Sequence, residues 1–170
     1  LKTKARSGIV ICPCGSGKTA ILIEVAMKLA ARSKAAGQAQ RVLILCYESQ
    51  GVLQVAEALR RHTTLGDKEV CVQTGRHKDV PGSNFCFLVT TYAMFSASGN
   101  GRGASGKRAR EYVENTAFNV VLCDEAHHIG APTYRKFLEM LQEKAERMYG
   151  FTATLYRNDS AVQETRREHE

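Results

Sequence analysis

Lys18 and Thr19 follow Gly15 and Gly17 and open a helical pattern directly after the apolar run Gly8-Ile9-Val10-Ile11. That order of residue types binds phosphate. Residues 15 and 17 lack side chains, so the backbone of Cys14-Gly15-Ser16-Gly17 can wrap around phosphate oxygens. The first amides of the following helix then point at those oxygens with the positive end of the helix dipole behind them. The Lys18 ammonium can reach the terminal phosphates, and the Thr19 hydroxyl is placed to ligate Mg²⁺. A nucleoside triphosphate is the ligand this loop implies. Cys12 stands where the general pattern G-x-x-x-x-G-K-[ST] has glycine, and the loop alone also fits a glycine-rich strand-to-helix turn.

A second constellation, Asp124-Glu125-Ala126-His127, ends the apolar run Val120-Val121-Leu122-Cys123, which reads as a buried parallel strand. Acids at the C-terminal end of such a strand face the ligand crevice. Asp124 has the position of a Walker B carboxylate holding Mg²⁺, and Glu125 that of the base that orients and deprotonates the attacking water. On its own the pair also fits an acidic cap at a helix start. The phosphate loop upstream favours the catalytic reading.

With Thr152-Ala153-Thr154 downstream, the order of phosphate loop, D-E-A-H box and T-A-T resembles that of superfamily 2 helicases. The strings Pro13-Cys14-Gly15-Ser16-Gly17-Lys18-Thr19, Thr90-Thr91-Tyr92-Ala93-Met94 and Gly150-Phe151-Thr152-Ala153-Thr154-Leu155-Tyr156-Arg157 are similar to those of the xeroderma pigmentosum group B helicases, subunits of transcription factor IIH. The likeness runs from Gly8 to Asp159. It implies ATP with Mg²⁺, a DNA track, 3′-to-5′ movement, a nuclear location, and work within a transcription and excision-repair complex. It further implies coupling roles for His127, Thr152 and Thr154, and places Ser49, Gln50, Thr90, Thr91 and Arg157 near DNA. Two departures stand out: Ala126 replaces the family's valine, and Arg157-Asn158-Asp159 lacks the middle carboxylate of its Arg-Glu-Asp unwinding element.

The elements that must hold these residues alternate strand and helix, as a doubly wound α/β sheet with helices on both faces requires. Strands are expected at 8–12, 41–46, 69–72, 85–90, 118–123 and 147–151. Helical spacing joins Leu22, Val25, Ala26 and Leu29; Val52, Val55, Ala56 and Leu59; and Tyr134, Phe137, Leu138 and Leu141. Pro132 suits a first helical turn, Gly37 a helix stop, and Ser49 a cap as well as a phosphate donor. Residues 96–106, rich in Gly and Ser, are expected to form a flexible loop.

At 170 residues the chain suits one compact domain, a RecA-like lobe. Superfamily 2 motors use two, with ATP between them and an arginine finger on the second. Because the chain opens on Leu1 and ends soon after T-A-T, it reads as a first-lobe fragment. The net charge of +7 favours a polyanionic partner, with clusters at Arg60-Arg61-His62 and at Arg102, Lys107, Arg108 and Arg110. Six cysteines without C-x-x-C spacing read as free thiols in a reducing compartment, and no apolar run is long enough to span a membrane. An RNA helicase, a restriction or viral motor, and a non-catalytic nucleotide-binding scaffold are the competing functions.

Overall fold

The computed structural model describes residues 6–35, 41–77, 79, 81–82, 85–95, 111–129 and 132–153. Six strands form one parallel sheet: β1 Arg6–Ile11, β2 Val42–Cys46, β3 Val70–Gln73, β4 Phe87–Thr91, β5 Val120–Cys123 and β6 Arg147–Thr152. Their order across the sheet is β1-β6-β5-β2-β4-β3. This is the doubly wound architecture expected, and each strand lies within two residues of its expected bounds.

Direction of travel decides which face each helix covers. From β1 the chain moves along the sheet to β2 and on to the β3 edge, and from β3 it returns through β4 and β5 to β6. Right-handed crossovers taken in opposite directions fall on opposite faces. Helices α1 (Lys18–Ala35) and α2 (Ser49–His62) therefore share one face, where Leu22, Ala26, Val52, Val55 and Leu59 meet Ile44, Val89 and Leu122. Helix α3 (Pro132–Lys144) covers the other, packing Phe137, Leu138 and Leu141 against Leu45, Val121 and Cys123. The Phe137 ring stacks on Phe95 with centroids 4.2 Å apart. With both faces covered, every residue of β2 is buried, which explains its uninterrupted Val-Leu-Ile-Leu-Cys. Only the outer strand β1 leaves apolar side chains bare, with Ile9 61% and Ile11 52% exposed.

Pro132 begins α3 as expected. Ser49, however, is the first residue of α2 and not its cap: Glu48, in extended backbone, takes that position and makes no side-chain cap bond. Residues 111–115 are helical although no helix was expected there. Gly37 and the 96–106 loop lie outside the described residues. Among the described residues no helix is long and apolar enough to cross a membrane.

One close approach fixes the site from below. A Cβ built on Gly150 of β6 would lie 2.6 Å from the Ala126 Cβ, so the strand touches the turn that carries the D-E-A-H box. Overpacking of this kind costs about 1–3 kcal/mol. Gly150→Ala should lower the urea midpoint accordingly, and Ala126→Gly added to it should restore much of the loss. A wild-type midpoint for Gly150→Ala alone would refute the contact.

Candidate nucleotide site

In a parallel sheet all strand C-termini share one edge. On that edge lie the loop after β1, the Tyr47–Gln50 segment after β2, Tyr92 after β4, the box after β5 and Ala153 after β6. Gly15 and Gly17 adopt φ +76° and +78°, a left-handed backbone that glycine takes at no steric cost. The loop closes by a bond from Ser16 N to Pro13 O (3.1 Å) and is tied to β6 by one from Cys12 N to Thr152 O (2.8 Å). Beside it is a cavity of about 470 Å³ lined by Cys14, Gly15, Gly17, Lys18, Thr19 and Ala153 among others. The first turn of α1 contains no acidic residue, so its amides and dipole are left for an anion.

Lys18, the first residue of α1, reaches across to the box. Its ammonium hydrogen-bonds Glu125 Oε1 and lies 3.3 Å from Asp124 Oδ1. Burial by itself would lower the Lys18 pKa, but the bond to Glu125 and the charges of Asp124 and Glu125 together raise it above 10.5. The ammonium therefore stays charged at physiological pH. Two residues 107 apart in sequence are thus in direct contact.

The box itself is a tight turn. Asp124 N donates to Leu45 O of β2 (2.8 Å), and the Tyr92 hydroxyl, from the turn after β4, donates to Asp124 O (2.9 Å), so two bonds hold the end of β5. Glu125 has φ +49°, the sole non-glycine residue with positive φ among those described. That costs roughly 1–2 kcal/mol and aims its carboxylate at Lys18. Asp124 Oδ1 is buried and receives no hydrogen bond, facing only the charge of Lys18. One such oxygen, with the Thr19 hydroxyl lining the cavity at the phosphate loop, fits Mg²⁺, which binds through one or two protein oxygens plus phosphate and water. Among the described residues no group of three or more His, Cys, Asp or Glu forms an all-protein metal cage.

His127 Nδ1 is 3.3 Å from Glu125 Oε2 and 3.0 Å from the hydroxyl of Thr152, which is buried. The ring thereby bridges the box to β6. The two expected coupling residues within the described chain therefore meet; Thr154 lies outside it, as does Arg157. Ser49 and Gln50 are exposed at the start of α2, on the site's own edge.

The structure places three further groups. Thr90 and Thr91 are 0% and 5% exposed, held in β4 between β2 and β3, so they present no hydroxyl to a DNA backbone in this structure. The Arg60-Arg61-His62 cluster ends α2 and therefore sits at the opposite edge of the sheet, with Arg60 paired to Asp67 at 2.9 Å. The third is Tyr92, which the sequence marked only as part of a motif and which turns out to anchor the box.

Residues 1–157 match the family described as "Type III restriction enzyme, res subunit". The chain belongs to that family. The chain is also similar over 94–95% of its length to transcription factor IIH helicase/translocase XPB subunits. It is 27% identical over 161 residues to that of Encephalitozoon cuniculi and 30% identical over 159 residues to that of Drosophila melanogaster. It spans only 22% and 18% of those two proteins. Among solved structures, the Pyrococcus furiosus Hef helicase domain superposes with a TM-score of 0.67 at 18% identity, covering 95% of this chain and 32% of that one. The Sulfolobus solfataricus SWI2/SNF2 ATPase core, solved with double-stranded DNA, gives 0.59 at 17% identity, over 92% and 29%. These likenesses establish the RecA-like helicase fold.

Proposed function

We propose that this chain is the first, ATP-binding lobe of an ATP-driven DNA translocase or helicase. The contact of Lys18 with Asp124 and Glu125 carries the reading because it brings the phosphate-binding and water-activating groups together. On ATP binding, the Lys18 ammonium exchanges the carboxylates for the terminal phosphates. Glu125, released, accepts a proton from the water that attacks the γ-phosphorus in line; the new P–O bond forms as the bond to the β-phosphate oxygen breaks, yielding ADP and phosphate. Mg²⁺, held by Thr19 and Asp124, would neutralise phosphate charge.

A second RecA-like lobe supplies the arginine that stabilises charge on the transferring phosphoryl group, an effect worth about 10³–10⁵ in rate. Residues 1–170 alone should then bind Mg·ATP but turn it over very slowly. Ser49 and Gln50 donate to the DNA backbone, a positioning contact without sequence information. The names of the relatives support membership of a nuclear transcription and repair complex, while the family description supports a restriction-enzyme motor as the second reading.

ATPase activity of the natural-length protein, measured with DNA and with RNA, tests the proposal. Stimulation by DNA, declining as salt rises, is expected. Stimulation by RNA alone would overturn the DNA track, and ATP-dependent cleavage of plasmid DNA would favour the restriction reading.

A further inference from the structure

Tyr47 and His128 form a parallel ring stack that the phosphate loop, the box and T-A-T do not account for. Their centroids are 3.8 Å apart with planes inclined by 9°. His128 follows the box, and its ring also lies 4.1 Å from that of His127. Tyr47 leaves the end of β2 and leads into Glu48-Ser49-Gln50, the exposed segment opening α2. The stack therefore joins two loops that the sheet order sets on neighbouring strands, β5 and β2. One contains the proposed catalytic base and the other the proposed DNA-backbone donors.

We infer that Tyr47 is a positioning residue that transmits the state of the nucleotide site to the DNA-contacting segment through His128. The inference rests on the function proposed above. The connection is continuous: Lys18 to Glu125, Glu125 to His127 Nδ1, the His127 ring to the His128 ring, and the His128 ring to Tyr47. Its switch is Lys18. While the ammonium holds Glu125, the carboxylate stays beside His127; once phosphate claims the ammonium, Glu125 and the imidazole it touches lose that constraint. A flat stack passes a displacement sideways because sliding one ring changes the overlap of both. Tyr47 is 42% exposed, and its ring lies flat on His128.

The test is thermodynamic coupling in the natural-length protein. The quantity read is the factor by which saturating duplex DNA changes the affinity for a non-hydrolysable ATP analogue. Coupled sites differ by about 5-fold or more, and the same factor must appear when DNA affinity is measured with and without the analogue. Tyr47→Ala should bring that factor close to one while leaving affinity for the analogue alone unchanged. Tyr47→Phe, which keeps the ring, should retain it. His128→Ala should act as Tyr47→Ala does, and the double variant should lose no more than either single one.

Full coupling in Tyr47→Ala would overturn the inference. So would a loss of DNA affinity in that variant without nucleotide, which would make Tyr47 a direct DNA contact. Wild-type protein that binds analogue and DNA without coupling would overturn the inference alone. Failure to bind the analogue at all would remove the function on which it rests.

Discussion

Lys18→Ala should weaken Mg·ATP binding by about 100-fold or more. The ammonium makes charge-assisted bonds to phosphate in a cradle otherwise built from neutral amides, each such bond being worth about 1.5–3 kcal/mol, and each 1.4 kcal/mol is tenfold in affinity. The same substitution changes the empty protein. Asp124 and Glu125 would remain side by side without the cation that now lies between them. Titration calorimetry on wild type and variant checks the affinity, and circular dichroism confirms that the variant is folded. Equal affinity in a folded variant would sink the phosphate-loop assignment.

Glu125→Gln should separate binding from chemistry. Glutamine keeps the size and most of the hydrogen bonding but cannot take the water's proton, so turnover in the natural-length protein should fall by about 10²-fold or more. The structure adds an expectation about affinity. Because Glu125 competes with phosphate for Lys18, removing its charge should leave ATP binding intact or tighter. Asp124→Asn should behave differently, raising the Mg²⁺ concentration needed for half-maximal turnover. DNA-stimulated ATPase activity undiminished in Glu125→Gln would show that another group is the base.

How much of this was legible in the sequence follows from the range of each interaction. Strands such as Val42–Cys46 and Val120–Cys123 announce themselves because burial on both faces demands continuous apolar residues. The phosphate loop and the box are equally plain, since their chemistry is set by neighbours in sequence. Sheet order is a different matter. Thr90 and Thr91 looked available to DNA, and only the insertion of β4 between β2 and β3 buries them. Arg60-Arg61-His62 is a cluster in the sequence, but its place at the far edge follows only from the direction of α2. Tyr92 on Asp124 and Tyr47 on His128 join residues 32 and 81 apart, and no local pattern encodes those partners.

The left-handed backbone of Glu125 sets protein stability against activity at a single position. Glycine would relieve the strain there, and selection for a well-folded chain alone would drift toward it. A binding scaffold freed from turnover would have no reason to resist that drift. Glutamate at position 125, held in a conformation that disfavours it, fits the hydrolytic role proposed above better than a role in nucleotide binding alone.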